Sequence, residues 1–212
     1  MAEIRTGLRH ILALPFVYDT FQQLVGAYAW RRRVIENQVL GELEQAGALL
    51  DIGCGTADVL SYLPQAVRYV GFDRNPSYIA QAKQRFADRN AQFMCEEFRG
   101  TLSGDGDKFD VVLALGLLHH LDDDEALKLF ESAANVLKDG GIFLTLDPLI
   151  AAEQSPFARY IVTHDRGKNV RTLAHYAELA KARFPQTEAF VDNRPLRIPY
   201  TGIVLRCRKS SR

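Results

Sequence analysis

Ala48-Leu49-Leu50-Asp51-Ile52-Gly53-Cys54-Gly55-Thr56-Ala57-Asp58 is an apolar run that ends in an acid and turns through two glycines one residue apart. The run predicts a buried strand. Gly53 and Gly55 predict a tight turn in which backbone comes close to a ligand. Val59, Leu60 and Leu63 predict a helix beyond the turn, whose free N–H groups face whatever sits at the carboxyl end of the sheet. Next along the chain, Val70-Gly71-Phe72-Asp73 ends a second strand in a carboxylate suited to accept two hydrogen bonds from ribose hydroxyls. Turn and acid together describe a nucleoside site.

Outward from this turn, short β-branched or aromatic runs alternate with helical patterns, the signature of βαβ units and a parallel sheet. Strands are predicted at Ala48 to Ile52, Arg68 to Phe72, Gln92 to Glu96, Phe109 to Leu115 and Gly141 to Asp147. Val111-Val112-Leu113-Ala114-Leu115 is apolar on both faces and belongs in the middle of the sheet, covered by helices on each side. Asn75-Pro76 opens one helix, with Ile79, Ala82, Lys83 and Phe86 at helical spacing. Another runs from about Asp123 to Leu137 with acids in its first turn, and Lys138-Asp139-Gly140-Gly141 is expected to stop it. Thr172 caps a later helix containing Leu173, Tyr176 and Leu179, which Pro185 closes. The last two runs, Thr187 to Val191 and Tyr200 to Cys207, are too close for a crossover helix and are expected to pair antiparallel at an edge. The first forty residues read as an amphipathic helical cap or lid. The expected organisation is one α/β domain over 1–212, with the cap at 1–47, a core at 48–147 and a substrate-side segment with the final strands at 148–212.

Lys plus Arg and Asp plus Glu each total 26, so the formal charge is zero and nothing global draws the chain to a polyanion. No nucleic-acid partner is expected. Cys54, Cys95 and Cys207 lack the paired spacing of a zinc site or disulfide scaffold, so no metal is expected and a reducing cytoplasm is the simplest location. The apolar run Ile11 to Val17 is interrupted by Pro15 and has no cleavage pattern after it, and no stretch is long enough to span a membrane. A homodimer is compatible with the composition.

A dinucleotide is the rival ligand, because its fingerprint shares the glycine turn and the strand-two acid. Two features count against it: position 58, where a third glycine belongs, is Asp, and Asp51 stands two residues before Gly53. A diphosphate beside such carboxylates would be repelled by roughly 4 kcal/mol for unit charges about 4 Å apart at an effective dielectric of about 20. S-adenosylmethionine carries no phosphate, and its ammonium and sulfonium are cationic.

With these motifs in order, the chain resembles the class I S-adenosylmethionine-dependent methyltransferases of small-molecule type. The resemblance rests on Leu49 to Thr56, Val70 to Asp73, Phe93 to Phe98, Phe109 to Leu121 and Leu137 to Gly141. It implies a Rossmann-like, doubly wound, seven-stranded sheet, mostly parallel with an antiparallel last strand. It also implies that Asp51, Gly53, Cys54 and Gly55 line the methionine end of the cofactor, Asp73 with Arg74 the ribose, and Glu97 with Phe98 the adenine, with Glu96 able to replace Glu97. Leu115 and Gly116 would lend backbone under the sulfonium. Ala57 stands where the family usually has glycine, and altered packing with retained binding is expected there.

His119 and His120 follow the fourth strand, where a methyl acceptor meets the cofactor, so either is a candidate general base, as is Asp147 at the end of strand five. His120 is also a candidate for contacting the substrate. An acceptor that is already nucleophilic needs alignment and no base. Arg166, Lys168 or Arg171 would bind an anionic acceptor, against a plain solvated loop. Tyr18 and Phe21 would close over the cofactor, against ordinary helix packing, while Arg31-Arg32-Arg33 reads as solvated charge. The activity implied is methyl transfer to an oxygen, nitrogen or carbon of a small metabolite. The alternatives are a non-methylating reaction of the same sulfonium and a non-catalytic module that keeps the cofactor pocket.

Overall fold

A computed structural model describes residues 26–43, 47–101, 108–164 and 167–211. The run that decides the fold forms strand β1 (Ala48–Ile52), buried at all five positions. A parallel sheet with both faces covered requires continuous apolar strands of this kind. Beside it lie β2 (Arg68–Phe72), β3 (Ala91–Met94), β4 (Phe109–Leu115) and β5 (Leu137–Ile150), followed by a short β6 (Arg171–Thr172), β7 (Gln186–Asp192) and β8 (Gly202–Arg208). The order is β3-β2-β1-β4-β5-β8-β7, with β6 pairing β5 off this path. The β1 to β5 pairs are parallel, and β8 alone runs against its neighbours, between β5 and β7. The antiparallel last strand is therefore interior, and β7 is the edge.

Helix α1 (Ala27–Gln38), a 3₁₀ turn at Asp58–Tyr62 and helix α2 (Pro76–Arg85) cover one face. The opposite face is packed by α3 (Asp123–Val136) and α5 (Leu173–Lys181), while α4 (Pro156–Thr163) follows β5. The helix starts predicted from Pro76, the acids after Asp122 and Thr172 are present, each with a side-chain cap. Asn75 accepts the Ser77 N–H, Asp122 and Glu125 form a reciprocal capping box, and Thr172 accepts the His175 N–H.

Three local expectations are corrected. The segment after the glycine turn is a five-residue 3₁₀ turn (Asp58–Tyr62) and not a full helix; Ala57 precedes it in the left-handed region at φ 59°, and Leu63 after it is already extended. Gly140 does not stop α3: Leu137 is already extended, and Gly140 at φ 78° bends the start of β5, so that Phe109 pairs with Leu137 but Val111 with Ile142. The third strand ends at Met94, short of Glu96.

The described part of the N-terminal cap, α1, docks through Trp30, the sole tryptophan. Its six-membered ring packs against Gly202 of β8, where a Cβ would sit 2.1 Å from the indole, and meets Tyr200 edge-on at 6.5 Å. Gly202→Ala is expected to destabilise the fold by about 1–3 kcal/mol through overpacking. Trp30 fluorescence followed through a urea titration checks this; an unshifted midpoint would contradict the docking. Among the described residues no helix is long and apolar enough to cross a membrane.

Candidate active site

The carboxyl ends of β1, β2, β4 and β5 open into one cleft of about 1530 Å³. Open α/β sheets bind ligands at this end, where the strand order reverses between β1 and β4. Gly53 and Cys54 both donate their N–H to the Phe72 carbonyl, which pins the turn against β2. Gly55, at φ 56°, has no atom within 4 Å of where a Cβ would stand, so its backbone borders open cleft. Gly71 gives the turn room, since a Cβ there would lie 2.9 Å from the Cys54 sulfur. The cradle is therefore shaped for a flat or narrow group lying on bare backbone.

Asp73 ends β2 with both carboxylate oxygens engaged: Oδ2 accepts the Gly55 N–H at 2.9 Å and Oδ1 the Asn75 N–H at 2.8 Å. Each oxygen keeps a second lone pair for a hydroxyl. Arg74 and Glu97 are exposed and 3.9 Å apart, and Phe98 packs edge-on against Phe72 at 5.2 Å. Leu115 and Gly116 end β4, where the Gly116 N–H donates to the Leu146 carbonyl of β5.

Asp51 differs from its sequence reading. It is 2% exposed and accepts a 2.7 Å hydrogen bond from the Tyr69 hydroxyl. Burial pushes its carboxyl up to about 7, against the Tyr69 hydrogen bond and the Arg31 charge, which pull it down. Asp58 is paired with Arg85. The negative charge assigned to these two acids is thus conditional at Asp51 and partly neutralised at Asp58, leaving Asp73 with the larger share. Burial likewise holds the Cys54 thiol protonated.

At the other end of the cleft, His119 sits in a 3₁₀ turn (Leu118–His120) after β4, and Asp147 near the end of β5. Their exposures are 6% and 1%. His119 Nδ1 is 2.8 Å from Asp147 Oδ1, and the same oxygen accepts the His119 backbone N–H at 3.2 Å. A carboxylate at that nitrogen holds the proton on Nδ1 and makes Nε2 the basic atom. Burial pushes the Asp147 carboxyl up while the contact with His119 opposes it. His120 packs against His119 with ring centroids 4.1 Å apart and the planes tilted by 39°, and both line the cleft. Chain 167–169 lies on His119: a Cβ on Gly167 would fall 2.2 Å from the imidazole, and Asn169 donates its N–H to the His119 carbonyl. Trp30, Tyr200, Ile161, Leu196 and Ile198 also line the cleft with apolar surface.

Two cationic candidates are corrected. Arg171 is 5% exposed, and its guanidinium donates to the carbonyls of Leu118, Leu121 and Asn169 and to Asp123. It clamps the turn that carries His119 and has no free face for an anion. Lys168 lies with Asp122, Asp123, Asp124 and His175 in a shallow depression and does not line the main cleft. Tyr18, Phe21 and Arg166 fall outside the described residues. Arg31, read as solvated, lines the cleft on the α1 side and acts on Asp51, whereas Arg32 and Arg33 pair at the surface with Glu36 and Asp192. Sequence reasoning also missed Tyr69, Trp30 and Tyr200. A lone tryptophan in the cap was the one signal for the second of these. No group of three or more metal-ligating side chains occurs among the described residues.

Residues 50–143 match a family model described as a methyltransferase domain. Solved structures with this architecture include the phosphoethanolamine N-methyltransferase 2 of Haemonchus contortus, in complex with phosphomonomethylethanolamine and S-adenosylhomocysteine (TM-score 0.73, 14% identity, 100% of this chain and 61% of that one). The mitomycin 7-O-methyltransferase MmcR aligns with TM-score 0.66 and 22% identity over 96% of this chain and 61% of its own. The [4+2]-cyclase SpnF aligns with TM-score 0.68 and 16% identity over 88% and 82%. The chain thus spans about three fifths of the two methyltransferases. At such identities the likeness is one of fold. No sequence among the curated proteins matches.

Proposed function

We propose that this chain is a class I methyltransferase, a reading that its fold and the family match over 50–143 support, and that it uses S-adenosylmethionine to methylate a hydroxyl of a small molecule. The single observation that carries the acceptor reading is the buried His119–Asp147 pair, with its 2.8 Å contact, on the cleft that the glycine turn also borders. A hydroxyl becomes a good nucleophile only as its proton leaves, and a histidine oriented by a carboxylate removes it. A neutral nitrogen acceptor would not need such a pair.

The residues present fit the cofactor. Gly55 offers bare backbone, Asp73 has lone pairs for ribose hydroxyls, and Phe98 offers an aromatic wall for adenine beside Glu97. Arg31 suits the methionine carboxylate and Asp51 the ammonium. S-adenosylmethionine would supply an electrophilic methyl carbon on its sulfonium. His119 Nε2 would take the acceptor proton while Asp147 holds the ring in register, and the apolar wall of Trp30, Tyr200, Ile161, Leu196 and Ile198 excludes water from an uncharged acceptor.

Incubation with methyl-labelled S-adenosylmethionine and a cell metabolite extract, followed by mass spectrometry, is expected to show label on oxygen and release of S-adenosylhomocysteine. Methylthioadenosine as the product would overturn the methyl-transfer reading. In calorimetry, Asp73→Ala is expected to weaken cofactor binding about 10- to 100-fold, the scale of hydrogen bonds to a charged group.

A further inference from the structure

The mechanism uses one oxygen of Asp147 and leaves the other unexplained. Along β5 the side chains alternate, so Phe143, Thr145, Asp147 and Leu149 face the side on which α5 packs. Among the described residues, three polar atoms on this side have no hydrogen-bond partner: Asp147 Oδ2, Thr145 Oγ1 and Tyr176 Oη. The three residues are 1%, 0% and 0% exposed. Buried polar atoms are almost always hydrogen-bonded, and three orphans gathered on one side of the same strand mark a place for a shared partner.

We infer that Asp147 Oδ2 and Tyr176 Oη, with Thr145 Oγ1 one pleat back, enclose a bound water molecule, making Tyr176 and Thr145 positioning residues that tune the basicity of His119. The water accepts from the Tyr176 hydroxyl and donates to Asp147. Burial, reinforced by the Asp147 charge, pushes the Tyr176 hydroxyl well above its ordinary value, so it stays a donor across the working pH range. A hydrogen bond on Oδ2 draws charge away from Oδ1 and loosens the hold on the His119 imidazolium. The other groups facing the pair are few. His120 lies tilted against His119, His164 caps the end of α4 and lines the same cleft, and Arg171 of β6 lies 5.7 Å from the Tyr176 ring, its side chain donating to Asp123 of α3 while its charge and N–H groups oppose the rise of the Tyr176 hydroxyl. β8 presents apolar Ile203 and Leu205.

The inference rests on His119 being the base, yet it is testable without turnover. NMR titration of the histidine-labelled full chain, with His119→Asn and His120→Gln to assign the signals, gives the His119 midpoint. Tyr176→Phe is expected to raise it by about half to one pH unit and to move the acidic limb of kcat/KM with it. Thr145→Val should act in the same direction and less. A midpoint unchanged in folded Tyr176→Phe overturns the inference whatever happens to Tm, because a purely packing tyrosine would alter stability without moving that titration. If Tyr176→Phe does not fold, Thr145→Val decides by the same criterion. Normal turnover in His119→Asn would instead remove the base reading, and the midpoint shift would still stand or fall by itself.

Discussion

Asp51→Asn is expected to raise stability at pH 8 while weakening S-adenosylmethionine binding by about 100-fold, the scale of losing a charged partner for the cofactor ammonium. Asp51 is fully buried, and its carboxyl is pushed from an ordinary 3.8 up to about 7. Below about pH 4 the group is protonated folded or unfolded, and nothing is lost. Between about 4 and 7 the unfolded chain gives up the proton and the folded one keeps it, so stability falls as pH rises. Above 7 the penalty levels off at no more than about 4 kcal/mol. Asparagine removes that penalty and still accepts from the Tyr69 hydroxyl. The gain in Tm should therefore be clear at pH 8 and vanish at pH 4. A gain of equal size at both would show that the ionisation of Asp51 is not its source. The same logic makes wild-type binding tighter at pH 8 than at pH 6, with proton release on binding that calorimetry in buffers of different ionisation enthalpy detects.

This sharpens what the glycine turn says. In the sequence, Asp51, Asp58 and Asp73 looked like three equivalent charges that repel a diphosphate. In the fold only Asp73 is plainly a presented carboxylate. Asp58 is held by Arg85, and Asp51 waits for a cation before it ionises fully. A sulfonium nucleoside remains the proposed ligand, because a buried aspartate at the cleft is matched by a cation such as an ammonium and not by a diphosphate.

Local pattern carried most of the fold. The alternation of apolar runs placed β1, β2 and β4 to the residue, and cap chemistry located α2, α3 and α5, because both depend on neighbours a few residues away. What sequence could not carry was long-range. Arg171 looked like an anion ligand, but its partners Leu118, Leu121 and Asp123 lie 53, 50 and 48 residues back. Tyr69 reaches Asp51 across strands, and Arg31 joins the cleft only because Trp30 anchors α1 on Gly202. Ala57 was read as a spare methyl. Its cost is conformational, since it occupies the left-handed region that glycine fills without strain.

His119→Asn is expected to lower kcat/KM by about 10²- to 10⁴-fold, the usual scale of a general base, while leaving cofactor affinity intact. Cofactor contacts are assigned to the ends of β1, β2 and β4, and the imidazole is assigned to the acceptor, so the two effects should separate in calorimetry and kinetics. Asp147→Asn should lose rate as well, for a different reason: the amide no longer favours the imidazolium that forms as the acceptor proton moves. It also removes a buried charge, so the loss of rate should come without loss of Tm. In the wild type, kcat/KM should fall as pH drops and His119 takes up a proton. That limb should be absent from His119→Asn, whose residual rate should instead follow ionisation of the acceptor. An unchanged rate in His119→Asn would mean that the acceptor is already nucleophilic at neutral pH, as an unprotonated amine or a thiolate is. The pair would then serve only to wall the cleft, and alignment, which supplies about 7 to 11 kcal/mol, would be the main contribution of the protein.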